Sequence, residues 1–223
     1  MADGSQDQVG RPQVRRRWWV RPLLAGAGVG LVVAVIVVLL AHRGHPEADG
    51  AHLDAALGSE LAWAPGERPA PDFSLPDQRG DTVTLASLRG RTVILAFLNT
   101  LCADVCPIQG RQLSDLGRVL PEPRRPIVVA VSVNPGDTPA TARRAAADWD
   151  WADLRWHWLL GSRDQLAPVW RNYGIQARPA DEQNQVEHTG ALFLIDEHGD
   201  VRSAYTVPIA MPRLLTDIES VQR

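Results

Sequence analysis

Val93-Ile94-Leu95-Ala96-Phe97-Leu98-Asn99-Thr100-Leu101-Cys102-Ala103-Asp104-Val105-Cys106-Pro107 is the stretch from which both fold and chemistry can be read. Its first part, 93–98, is a short apolar run rich in branched side chains, the signature of a buried strand. Beyond it, Val105, Ile108, Leu116, Val119 and Leu120 recur at roughly helical spacing. Pro107 suits a first helical turn, where a missing N–H costs nothing. The stretch therefore reads as strand, turn and helix. Cys106 falls in the first helical turn and Cys102 in the loop before it.

These are the only 2 cysteines in 223 residues. A helix N-terminus presents the positive end of the macrodipole and stabilises a thiolate, the form that binds a soft metal or attacks a disulfide. Cysteines at i and i+4 can converge on one point. They could share a metal, or close a disulfide if the loop residue swings in. As a mere staple the pair is poor, because so short a loop removes little unfolded-state entropy.

The length suits one ordinary domain with additions, and 45% hydrophobic content supports a real core. A formal charge of −3 favours neither nucleic acid nor an anionic membrane surface as partner. Two cysteines exclude a disulfide-built scaffold. All 23 basic residues are arginine, a composition typical of GC-rich bacterial genomes.

Upstream, residues 1–22 form a polar tail ending in Arg15, Arg16, Arg17, Trp18, Trp19 and Arg21. Residues 23–41 follow without a charge, mostly Val, Leu, Ala and Gly. At ~1.5 Å per residue a helix of this length covers ~28 Å, close to a bilayer core of about 30 Å. Arginines on the N-terminal side place that end in the cytoplasm and the remainder outside the bacterial cell membrane. A retained single-pass anchor fits better than a cleaved signal peptide: the run is long, and no small-x-small site follows at once. Residues 42–68 read as a linker spanning roughly 30 Å as a coil, with a short helix over 52–63. Its His42, His45 and His52 read as solvated rather than metal-collecting.

The folded domain, 69–223, opens with a hairpin of 73–75 and 83–85 about Gly80. After the cysteine helix, the proline-rich segment 121–126 is a breaker. Strands follow at 127–133, 156–160 and 190–195, and 201–205 closes a second hairpin. Helices follow Pro139, run from a Ser162/Gln165 capping box to about Tyr173, and cover 211–221. This order predicts an α/β sandwich with a mixed central sheet flanked by helices. Trp149, Trp151, Trp156 and Trp158 read as core packing in preference to a docking patch. His188, in Val186-Glu187-His188-Thr189-Gly190, precedes a strand, and strand ends build sites in α/β sheets. A loop histidine taken alone is more often solvated or structural.

Cys102-Ala103-Asp104-Val105-Cys106-Pro107, Ser132-Val133-Asn134-Pro135, Asp137-Thr138-Pro139, Tyr173-Gly174, and His188-Thr189 leading to Leu194-Ile195-Asp196 and Gly199 together resemble the SCO/SenC family. That resemblance, over about 69–223, implies a thioredoxin-like fold on a membrane tether. It implies copper held by Cys102, Cys106 and His188, and a metallochaperone serving the binuclear copper site of cytochrome c oxidase. The implied partners are the oxidase's copper-bearing subunit and a thiol reductant. Two thiolates and an imidazole suit copper by softness, and three-coordination suits Cu(I); zinc usually takes a fourth ligand. The alternative is a thiol–disulfide oxidoreductase, with Cys102 and Cys106 as redox-active residues that keep target cysteines reduced. The chain departs from the family pattern at Asn99, Leu101, Ala103 and Asn134. Asp104 matches it, and reads either as a carboxylate that orients the thiolates or as a helix cap.

Overall fold

The computed structural model describes residues 61–178 and 186–223. The basic tail, the apolar run 23–41, and His42, His45 and His52 lie outside the described residues. Among the described residues no helix is long and apolar enough to cross a membrane. The strands are β1 (Leu61–Ala62), β2 (Ser74–Pro76), β3 (Thr82–Thr84), β4 (Val93–Leu98), β5 (Ile127–Ser132), β6 (Arg155–Leu159), β7 (Ala191–Ile195) and β8 (Val201–Thr206). The helices are α1 (Val105–Val119), α2 (Pro139–Asp148), α3 (Arg163–Asn172) and α4 (Met211–Val221).

A 6-stranded sheet runs in the order β1-β8-β7-β4-β5-β6, and β2 with β3 forms a separate hairpin. β4 pairs in parallel with β5, and β5 in parallel with β6. β7 joins the other side of β4 antiparallel, with Val93 opposite Ile195 and Ala96 opposite Leu192. The sheet is therefore mixed, as the order of apolar runs predicts. β4 is buried at every position, because it is central and covered on both faces.

The two faces divide by parity along the strand. Ile94, Ala96 and Leu98 pack with Val128, Ala130 and Leu194 beneath α1, α2 and α4. Val93, Leu95 and Phe97 pack with Val129, Val131 and Phe193 beneath α3 and the β2–β3 hairpin. The tryptophans belong to the first core. Trp149, Trp151 and Trp158 are buried, with ring centroids 5.5 to 5.9 Å apart, and Trp156 lies 5.8 Å from Trp151. The packing reading of this cluster therefore holds.

Local signals set the helix starts. Thr138 and Thr141 cap α2 reciprocally, and Ser162 and Gln165 cap α3 as the sequence predicts. Of the short helix expected over 52–63, residues 52–60 lie outside the described residues, and the described end is not helical. Leu61 and Ala62 are extended and pair with Ala204 and Ser203 of β8. The open edge of β8 offers unpaired backbone groups that this segment satisfies, and Trp63 N–H continues the ladder to Arg202 O at 2.9 Å. The sheet thus takes in residues that the sequence reading assigns to the linker.

Candidate metal centre

Topology brings three chain ends to one edge of the sheet. β4 and β5 are parallel, so the loops after both emerge there. β7 runs the other way, so the residues before it arrive at the same edge. The first loop carries Cys102 and Cys106, the second carries Asn134 and Asp137, and the third segment carries His188. A backbone bridge between Ala177 and His188 fixes the histidine's approach, flanked by Arg178 N–H to Glu187 O at 2.9 Å and Thr189 N–H to Gln176 O at 3.0 Å.

Both cysteines are free thiols; Cys106 is buried and Cys102 is half-buried. Cys106 is the second residue of α1, and its backbone N–H points at Cys102 Sγ, 3.5 Å away. Cys102 Sγ thus serves as acceptor for the orphan donors of the helix N-terminus. The hydrogen bond from the Cys106 thiol, helped by the backbone N–H groups of Cys106, Asp104 and Val105, holds Cys102 down to a pKa of about 5 against desolvation. Cys106 is displaced the other way. As donor in that same hydrogen bond, and by burial, its thiol is pushed far up, with negative charge on Cys102 and Asp137 adding to the effect. The pair is one accessible thiolate and one buried thiol.

His188 Nε2 lies 3.9 Å from Cys106 Sγ. Its Nδ1 lies 3.0 Å from the Thr189 carbonyl, so Nδ1 carries the proton and Nε2 keeps its lone pair toward the sulfur. Burial lowers its pKa, which favours the neutral, ligating form. One ion with bonds of about 2.0 Å to nitrogen and about 2.3 Å to sulfur needs a separation of roughly 3.7 Å between these atoms at a trigonal angle. Among the described residues, no three His, Cys, Asp or Glu side chains already stand close enough together to hold a metal. The pair Cys106–His188 is near the required spacing. A cavity of about 400 Å³ opens between them, lined by Cys102, Cys106, Gln109, Val186, His188 and Val207.

Asp104 occupies the cap position of α1, exposed and without a capping side-chain bond. It contributes its backbone N–H to Cys102 rather than its carboxylate. Four residues support the site in roles that sequence reasoning does not reach: Asp137, Asn99, Asn134 and Gln109. Asp137 is buried, accepts a short hydrogen bond from Ser132 Oγ, and accepts from Thr100 Oγ1 at 2.6 Å, so it anchors the cysteine loop to β5. Burial raises its pKa against those bonds. Asn99 and Asn134 face each other, with Asn134 Nδ2 3.4 Å from Asn99 Oδ1. Asn99 O also accepts from Cys102 N–H at 3.3 Å. Gln109, one turn after Cys106 on α1, has a buried Nε2 without a hydrogen-bond partner among the described residues. In the sequence the Asp137-Thr138-Pro139 motif reads as part of the family pattern ahead of a helix rather than as an anchor.

The SCO1/SenC family model matches residues 64–223. The chain belongs to the SCO1/SenC family. It is 32% identical to the mitochondrial SCO2 homologue of Bos taurus over 235 residues, covering 99% of this chain and 83% of that protein. Among solved structures, Bradyrhizobium japonicum ScoI with copper bound is 26% identical at a TM-score of 0.60, covering 69% of this chain and 99% of that one. BsSco, described as a member of the Sco family of cytochrome c oxidase assembly proteins and studied for a disulfide switch, shares the fold. It is 23% identical at a TM-score of 0.61, covering 72% of this chain and 97% of that one. The SCO-type fold is thus the α/β arrangement of a mixed sheet between helices described above.

Proposed function

We propose that this SCO-type protein is a membrane-tethered copper carrier. It holds copper outside the cytoplasm through Cys102, Cys106 and His188 and passes it to the binuclear copper site of a respiratory cytochrome c oxidase. The observation that carries the reading is the approach of His188 Nε2 to Cys106 Sγ, from a segment 82 residues further along the chain. A thiol–disulfide exchanger can use an imidazole as base for its buried thiol but does not require one as a ligand. A carrier does, because two soft thiolates and a neutral imidazole form a donor set suited to Cu(I).

The two sulfurs divide the work of loading and release. Cys102 is already anionic and reachable, so it meets the cargo first and is the first to be exchanged for a ligand of the receiver. Cys106 gives up its proton as it ligates, which couples binding to proton release. The arginine-flanked run 23–41 is the tether, and the linker keeps the site near the outer face of the membrane. A thiol reductant must act on the pair before each loading, since extracytoplasmic compartments oxidise paired thiols.

The test is metal analysis of the reduced, full-length chain after loading with Cu(I). Copper is expected to bind stoichiometrically to the wild type and to be lost from His188→Ala and from Cys106→Ser. Full retention of copper by His188→Ala would overturn the three-ligand assignment.

A further inference from the structure

A second depression begins where Cys102 reaches the surface. It is a groove of about 740 Å³ between the first half of α1 and the exposed side of α2. Its floor is apolar, with Pro107, Ala145 and Trp149, and the exposed Leu101 stands at its mouth. Its walls carry Arg111 from α1 and Arg144 from α2. Both arginines are exposed, and among the described residues neither guanidinium is held by an ion pair or a hydrogen bond. Elsewhere arginines have such uses: Arg118 pairs with Asp115, Arg178 with Glu187, and Arg202 with Asp196. Asp148, at the far end of the groove one turn beyond Arg144, is the one acid among the lining residues.

We propose that this groove docks an extended, acidic, cysteine-bearing segment of the protein that the carrier serves, with the segment's sulfur at Cys102 and its carboxylate on Arg111 and Arg144. The inference deepens the carrier reading and rests on it in one respect, that Cys102 is the sulfur which meets the receiver. The arginines meet a Glu or Asp that flanks the segment's cysteine, and can grip it through paired N–H donors. Asp148 repels an acid placed further along. The walls give charge selection, and the apolar floor takes the segment's intervening residues.

The test uses thiol exchange as a reporter of docking. The full-length chain carries Cys106→Ser, so that the adduct on Cys102 is not resolved. The probe is a blocked pentapeptide, Glu-Ser-Cys-Ser-Glu, whose thiol is capped as a mixed disulfide with an aromatic thiol. The Cys102 thiolate attacks the peptide sulfur, and a bond forms between them. The peptide-to-aryl disulfide bond breaks, and the aryl thiolate leaves with the electron pair as a coloured anion. Each rate is divided by the rate with a small uncharged aryl disulfide, which removes any change in the intrinsic reactivity of Cys102. The glutamate peptide is expected to react about tenfold faster than its lysine counterpart at low salt, with the ratio shrinking as salt is raised. The double variant Arg111→Gln/Arg144→Gln is expected to bring that ratio close to one. Equal rates for the two peptides on the unaltered groove would overturn the proposal, as would a preference that survives in the double variant. The peptide comparison alone decides the matter if the double variant fails to fold. No metal enters the assay, so a failed copper test would remove the cargo and leave the groove's preference standing, and the reverse also holds.

Discussion

Cys102 and Cys106 are chemically identical side chains made unequal by one hydrogen bond and one helix end. In the copper-free, reduced chain, alkylation of Cys102 by iodoacetamide should therefore be half-maximal near pH 5. Cys106→Ala removes the S–H donor, the largest cause of the depression, and should move that midpoint up toward the ordinary thiol range. Peptide mapping by mass spectrometry across pH reads both. A wild-type midpoint already in the ordinary range would mean the thiolate is not held as described. Asp137 offers a second residue-scale case. Asp137→Ala leaves the buried Ser132 hydroxyl only its contacts to the Asn134 backbone and frees Thr100, so the loop loses its side-chain tie to β5. Hydrogen bonds to a carboxylate are worth about 1.5–3 kcal/mol each, and a loss of about 3 kcal/mol in urea unfolding is expected. Asp137→Asn, which can keep an acceptor for one of them, should lose less. The ligand candidates were legible in sequence because cysteine is rare here and the histidine precedes an apolar strand. Asn99, Asn134 and Asp137 were not. Short polar side chains in loops read as turn formers, and only the third dimension shows that they face one another beneath the cysteines.

At the scale of elements, α1 is defined as much by what lies under it as by its first turn. Gly110 sits in the helix interior, where glycine ordinarily costs about 1 kcal/mol relative to alanine. Here a Cβ would land inside contact distance of the Trp149 ring, and Gly110 O accepts the Trp151 indole N–H at 2.8 Å. Gly110→Ala should thus gain the helical preference and lose more to overpacking, about 1–3 kcal/mol. Urea unfolding with near-ultraviolet circular dichroism of the tryptophans tests it. A more stable variant with an unchanged tryptophan signal would show that the ring yields freely. Most elements were legible because their apolar runs are long or their caps are explicit: β4, β5 and β7 from branched residues, α2 and α3 from Thr138 and Ser162. β1 was illegible for a physical reason. Leu61 and Ala62 are both exposed, show no alternation, and are strand only because the edge of β8 needs a partner. The pairing of Ala177 with His188 was illegible in the same way, since a single bridge leaves no periodic trace.

For the molecule as a whole, the placement of the three proposed donors predicts how metal should couple to folding. Cys102 and Cys106 are four residues apart, so an unfolded chain still keeps its two thiolates close enough to share an ion. His188 is 82 residues from Cys106 and joins them only when β7 has docked against β4. An ion that binds both folded and unfolded chains stabilises only by the difference in affinity, and that difference here is the histidine's share. Free Cu(I) at 100 times the dissociation constant of the folded site would add about 2.7 kcal/mol if the unfolded chain bound none, and the two thiolates' hold on the unfolded chain brings the gain below that. In full-length wild type, Cu(I) should raise the urea midpoint, and a chelator should reverse the shift. In His188→Ala any copper that the two thiolates still hold is held equally by both states, so the shift should nearly vanish. Equal shifts in the two proteins would mean that the long-range donor contributes nothing to holding the ion, and that the fold serves the cysteine pair alone.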